Sequence, residues 1–191
     1  MPIAVPILLS LLLATSAVAW SGCGVTFDVP EGWKIERDGK TKDPCTIGIS
    51  PKGWKQIVAK SRYDDDKVAV HVEILHGTLA ATARKLEFEK NKDGNWGIPG
   101  RGNLFTSEAV RFGAFHGWRS QLLARGFARE GAALGGDSRV YSAVWVSYLL
   151  HDGHGTTVCI QYNEWSPDIK IDRPAAVNTI LSSLAHLVAE Q

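Results

Sequence analysis

Among the side chains that could do chemistry, the best placed by type and spacing are two histidines in "LLHDGHGTTVCIQY", residues 149–162, where His151 and His154 bracket Asp152 and Gly153. Asp-Gly between alternating runs is a strong signal for a two-residue hairpin, because both residues accept positive φ. In that hairpin His151 stands opposite His154, about 5.5 Å away at Cα, a spacing that can chelate a transition metal. A metal centre needs a third and usually a fourth ligand. His71, in "HVEILH" with Glu73 and His76, is the candidate available by type. The metal set to look for is therefore His151, His154 and His71. The plainer alternative leaves two solvated turn histidines and a third on the polar face of a strand.

A second group favours binding. "NWGIPGRGN" carries Trp96 and Arg101 in a glycine-rich loop, and "FHGWRSQ" sets His116, Trp118 and Arg119 at the entrance of a strand. Aromatic side chains with arginine at an exposed edge have the composition of interaction hot spots. Trp96, Arg101, His116, Trp118 and Arg119 thus form the expected interaction surface for a protein or small-molecule partner. The alternative is a Trp118 that faces inward and an Arg119 that pairs with a carboxylate. No catalytic residues and no cofactor are expected. The chain lacks a G-x-S-x-G elbow, H-E-x-x-H, a P-loop and a dinucleotide fingerprint. "YDDDK", residues 63–67, lacks the glycine and distal Glu of a calcium loop. With 21 Lys and Arg against 20 Asp and Glu, no field steers the protein toward nucleic acid.

The elements that must position these residues start after an apolar leader. "IAVPILLSLLLATSAVA" carries no charge and ends in Ala17, Val18 and Ala19, a small-x-small pattern of signal cleavage. Its apolar stretch is shorter than the roughly 20 residues that span a bilayer. Residues 1–19 are expected to be a signal peptide and residues 20–191 one exported domain, periplasmic or secreted, with no transmembrane segment. Of three cysteines, Cys23 and Cys45 flank the first strand and turn, while Cys159 alternates with apolar residues inside a strand. A Cys23–Cys45 disulfide is expected, leaving Cys159 as a buried thiol. "WSGC" also resembles a lipobox, which would instead make Cys23 a lipid anchor.

Alternation predicts short strands at "VTFDVP" and "CTIGIS" and a longer one over residues 67–75, with Val68, Val70, Val72 and Ile74 on one face and His71 and Glu73 on the other. "TLAATARKLEFEK" predicts a helix from Thr78. Strands follow near residues 109–112 and 118–127, separated by His116 and Gly117. The hairpin comes next, over residues 138–150 and 155–163. In its two-residue register Leu149 pairs with Thr156, Ser147 with Val158, and Trp145 with Ile160. Asp172 as N-cap and Pro174 in the first turn open a closing helix, with Val177, Leu181, Leu184 and Val188 on one stripe. Both faces of the hairpin are apolar, which places it inside a covered sheet. The expected fold is α+β, an α/β/α sandwich with a central, mainly antiparallel sheet and a C-terminal packing helix.

At "VTFDVPEGWKI", and again where a strand ending in Tyr162 leads to "NTILSSLAHL", the chain resembles the Mog1/PsbP-like family. The matching residues are Phe27, Val29, Pro30, Gly32, Trp33, Tyr162, Ile180, Leu181, Ser182 and Ser183. The resemblance implies a central antiparallel sheet between helices and a role in binding or assembly rather than catalysis. It carries over no partner-binding residue. The metal-binding protein or metal-dependent enzyme built on His151 and His154 stands as the alternative to an exported, non-catalytic binding or assembly module of the bacterial envelope.

Overall fold

The computed structural model describes residues 18–42, 44–52, 68–98, 106–128, 140–166 and 175–187. The leader up to residue 17, the "YDDDK" run, Arg101, Asp172, Pro174 and Val188 lie outside the described residues.

Apolar alternation builds one long sheet. Strands β3 (Trp33–Asp38), β4 (Cys45–Pro51), β5 (Val68–His76), β8 (Thr106–Phe112), β9 (Phe115–Ala128), β10 (Val140–His151) and β11 (Thr156–Ser166) form seven antiparallel neighbours in the order β3-β4-β5-β11-β10-β9-β8. Ile47 and Ile49 of β4, Val70, Val72 and Ile74 of β5, Val158 and Ile160 of β11, and Leu150 of β10 share one face, each at 1% exposure or less. This is the main core.

Its cover is a smaller sheet and a helix. Strands β1 (Val18–Gly22), β2 (Val25–Val29) and β12 (Ala185–His186) pair in the order β1-β2-β12. The β1–β2 connection is the two-residue turn Cys23 and Gly24, with φ of 52° and 82°, the left-handed pair that matches strand twist. Trp20, Val25, Phe27 and Val29 point into the main core, joined by Val177, Ile180, Leu181 and Leu184 from α2 (Ala175–Ser183) and the residue that follows it. Ser183 Oγ accepts the Asp28 N–H at 2.7 Å, which fixes α2 against β2. The Cys23–Cys45 disulfide ties this cover to β4, and Cys159 is free and buried.

The other face of the long sheet carries α1 (Leu79–Lys85) and the small hairpin of β6 (Glu89–Lys90) and β7 (Trp96–Gly97). Thr78 caps α1 by accepting the Ala81 N–H. The helix stops sooner than its apolar spacing predicts, because Glu87 turns left-handed at φ 60° and sends Phe88 inward.

The α/β/α sandwich is thus overturned. The protein is mostly strand, with two short helices among the described residues. The physical reason lies in what covers the main core: residues 18–29, whose start reads as leader, fold back as strands, so a second sheet takes the place expected of a helical layer. The hairpin register also differs. Leu149 pairs with Cys159 and His151 with Thr157, because the turn takes more than two residues. The Asp152 carboxylate accepts the His154 and Thr156 N–H groups at 2.7 and 2.9 Å, while Gly153 and Gly155 both adopt positive φ. The turn expected at His116 and Gly117 falls instead at Gly113 and Ala114, since Phe112 pairs with Phe115. Gly117 sits inside β9 where a Cβ would run into the Leu149 carbonyl oxygen.

Candidate functional site

The expected metal set is not brought together. His151 and His71 stand four residues apart in the sheet register, since His151 aligns with Thr157, Thr157 with Leu75, and Gln161 with His71, a separation of about 13 Å along the strands. His151 is 9% exposed, and its Nδ1 accepts the Gly153 N–H at 2.8 Å. His154 is exposed on the turn. Among the described residues, no group of three or more His, Cys, Asp or Glu could hold a metal ion.

What this end of the molecule does build is an anchored carboxylate. Burial acts to raise the Asp152 pKa. Backbone donors from Thr156 and His154, the Thr156 hydroxyl and the neighbouring His151 outweigh it and hold the group at about 2. The other Asp152 oxygen lies 3.5 Å from His186 Nε2 on β12, so one side chain fixes the turn and reaches the smaller sheet.

Of the expected interaction surface, Trp96, His116, Trp118 and Arg119 are among the described residues and Arg101 is not. Trp96 is 7% exposed and packs with Ala83, Phe88, Leu149 and Cys159. Trp118 is half-buried against the same cluster and donates from Nε1 to Asn95 Oδ1 at 3.1 Å. Arg119 pairs with Glu108 at 3.0 Å and donates to Gln121 at 2.7 Å. His116 is exposed beside His151 in the β9–β10 register. The two tryptophans hold the β6–β7 hairpin onto the sheet, helped by Ser107 Oγ, which donates to the Trp96 carbonyl at 2.7 Å.

One row beyond that cluster, the sheet changes character. Ser107, Ser120, Ser147, Gln161, His71, Gly48 and Arg37 are successive cross-strand partners from β8 to β3. All seven strands contribute a polar side chain or none at all. Neighbouring strands lie about 4.8 Å apart, so the row is a continuous polar track beside an apolar band. Ser120 and Ser147 are each only 4% exposed. Three members of the track, Ser120, Ser147 and Gln161, form the floor of a cleft of about 400 Å³, lined also by Gln121, Trp145, Leu122, Leu86, Ile98 and Glu87. The left-handed Glu87 backbone, a conformation a non-glycine residue adopts at a cost of about 1–3 kcal/mol, sets the rim.

The floor presents two hydroxyls and an amide, groups that both donate and accept hydrogen bonds. His71 is two strands from Ser147, about 10 Å between backbones, with Gln161 between them, so the row does not pair a hydroxyl with an adjacent imidazole base. Burial raises the Glu73 carboxyl. Burial and the nearby Glu73 push the Cys159 thiol far up, against a hydrogen bond from Gln161, which leaves it un-ionised and inert. Sequence reasoning missed the row because two of its central members are single polar residues in apolar strands, Ser147 in "VWVSYLL" and Gln161 in "VCIQY". The visible signal was that interruption itself.

No protein-family model and no curated protein matches the chain. Among solved structures it is similar to LpqN, described as involved in cell envelope biogenesis of Mycobacterium tuberculosis, with 14% identity and a TM-score of 0.42 over 84% of this chain and 82% of that chain.

Proposed function

We propose that the chain is an exported, non-catalytic binding module of the bacterial envelope, and that its ligand occupies the cleft over Ser120, Ser147 and Gln161. The observation that carries this is the cleft floor: two serines nine-tenths buried yet facing a cavity of about 400 Å³, within the roughly 300–1,000 Å³ of small-molecule sites. Export is supported by the leader-like residues 1–19 and by the Cys23–Cys45 disulfide, a bond that persists in oxidising compartments. Cleavage after Ala19 would remove only Val18 and Ala19 from β1, both exposed, and leave Trp20 buried against Phe27. No described helix is long and apolar enough to cross a membrane. The likeness to the Mog1/PsbP-like family at Phe27, Val29, Pro30, Gly32 and Trp33 fits the same role, since that resemblance implies binding or assembly.

The test is twofold. Intact mass of protein recovered from its own host's envelope fraction is expected to match a chain starting at Trp20 with one disulfide and no acyl group. Ligand-detected NMR with a chemically mixed fragment set is expected to give contacts abolished by Ser147→Trp, which fills the cleft. Retention of residues 1–19 on cytoplasmic protein would contradict export, and fragment contacts indifferent to Ser147→Trp would contradict the cleft.

A further inference from the structure

The donors and acceptors of the cleft also limit the class of ligand, an inference that rests on the cleft being a binding site. We propose that it takes a neutral, hydroxyl-rich ring compound, a sugar or sugar-like unit. Ser120, Ser147 and Gln161 each both donate and accept hydrogen bonds, which matches ligand hydroxyls that do the same. Two of the three are 4% exposed, so a ligand that offered them only hydrocarbon would leave buried polar groups short of partners, at about 1–3 kcal/mol each.

Charge narrows the class. Among the described lining residues no Lys, Arg or His is present, and the one charged group is Glu87. Anions such as phosphates and carboxylates are bound by cationic forks or clustered N–H groups, and here a carboxylate stands at the rim instead. Glu87 is exposed, so its charge is screened by water and serves better as an acceptor for hydroxyls than as the partner of a buried cation. Trp145 and Leu122, the next cross-strand pair on the same sheet face, and Leu86 and Ile98 beside it supply an apolar surface for the C–H faces of a saturated ring. Polar edges with an apolar face describe a pyranose better than an alkyl chain or an ion.

Saturation-transfer NMR on oxidised, tag-free protein tests this with neutral mono- and disaccharides, alkylammonium ions and alkyl carboxylates as probes. Saturable transfer from at least one neutral saccharide is expected, with affinity about tenfold weaker in Ser147→Ala and in Gln161→Leu, each the loss of one ligand hydrogen bond. Circular dichroism identifies any variant that fails to fold, and two variants at different burial keep one informative. Saccharide binding unchanged in both variants overturns the proposal. So does the absence of transfer from every saccharide. If an alkylammonium or carboxylate probe then binds in a Ser147-dependent way, only the ligand class falls; if no probe binds, the cleft falls with it.

Discussion

On one face of the seven-stranded sheet, Ile47, Ile49, Val70, Val72, Ile74, Val158 and Ile160 are sealed to 1% exposure or less under a second sheet and a helix. On the other, the apolar band of Trp118, Leu149 and Cys159 gives way within two residues per strand to Ser120, Ser147 and Gln161. The same strands serve both environments because side chains alternate. The first face holds the domain together. Among the described residues the second is covered by α1 and the β6–β7 hairpin, and the row beside them is polar, so a cavity there costs little stability and offers hydrogen bonds. A cavity of the same size in the first face would forfeit transfer energy and packing together.

Substitutions divide along the same line. Ile160→Ala, in the main core between Tyr148 and Val72, is expected to lower unfolding free energy by about 3–4 kcal/mol, measured by urea titration; a loss below about 1 kcal/mol would mean that this face is not the stabilising one. Replacing Cys23 and Cys45 together with Ala removes the bond between the covering sheet and β4, across a sequence separation of 22. A loss of about 3 kcal/mol is expected, and equal stability with or without reductant would count against that bond.

Asp152 gives a smaller, pH-dependent effect. Its folded pKa, about 2, lies below the unfolded value near 3.8, and its side chain is 3% exposed. The contribution, about 2 kcal/mol, is present above about pH 4 and lost as pH falls through about 2. Wild type is therefore expected to exceed Asp152→Asn in stability at about pH 5 and to converge with it toward pH 2. A constant gap across that range would show that the carboxylate's charge is not what holds the turn.

Parts of this architecture were open to reading from residue order. Val70, Val72 and Ile74 alternate with His71 and Glu73, so β5 and its two faces follow from period alone. Cys23 and Cys45 flank short strands at a separation that permits closure. The turn was harder: Asp-Gly signals two residues, yet the Asp152 carboxylate captures two N–H groups further on, and the added residues shift every cross-strand pair. That shift hid the polar row, because Ser120, Ser147, Gln161 and His71 align only in the actual register. β1 was masked by composition, since Val18 and Ala19 belong both to a cleavage-like pattern and to a strand. Trp96 and Trp118 looked like exposed anchors because a glycine-rich loop surrounds the first and His-Gly precedes the second; their burial depends on a hairpin that closes over the sheet.

The contrast between the faces is tested most directly by a single variant with two readouts. Ser147→Ala removes one hydroxyl from the cleft floor and leaves the rest of the side chain in place. Unfolding free energy is predicted to stay within about 1 kcal/mol of wild type, while binding of the best neutral saccharide weakens about tenfold. A large stability loss with affinity unchanged would contradict the account, because Ser147 would then belong to the frame of the fold and not to a site.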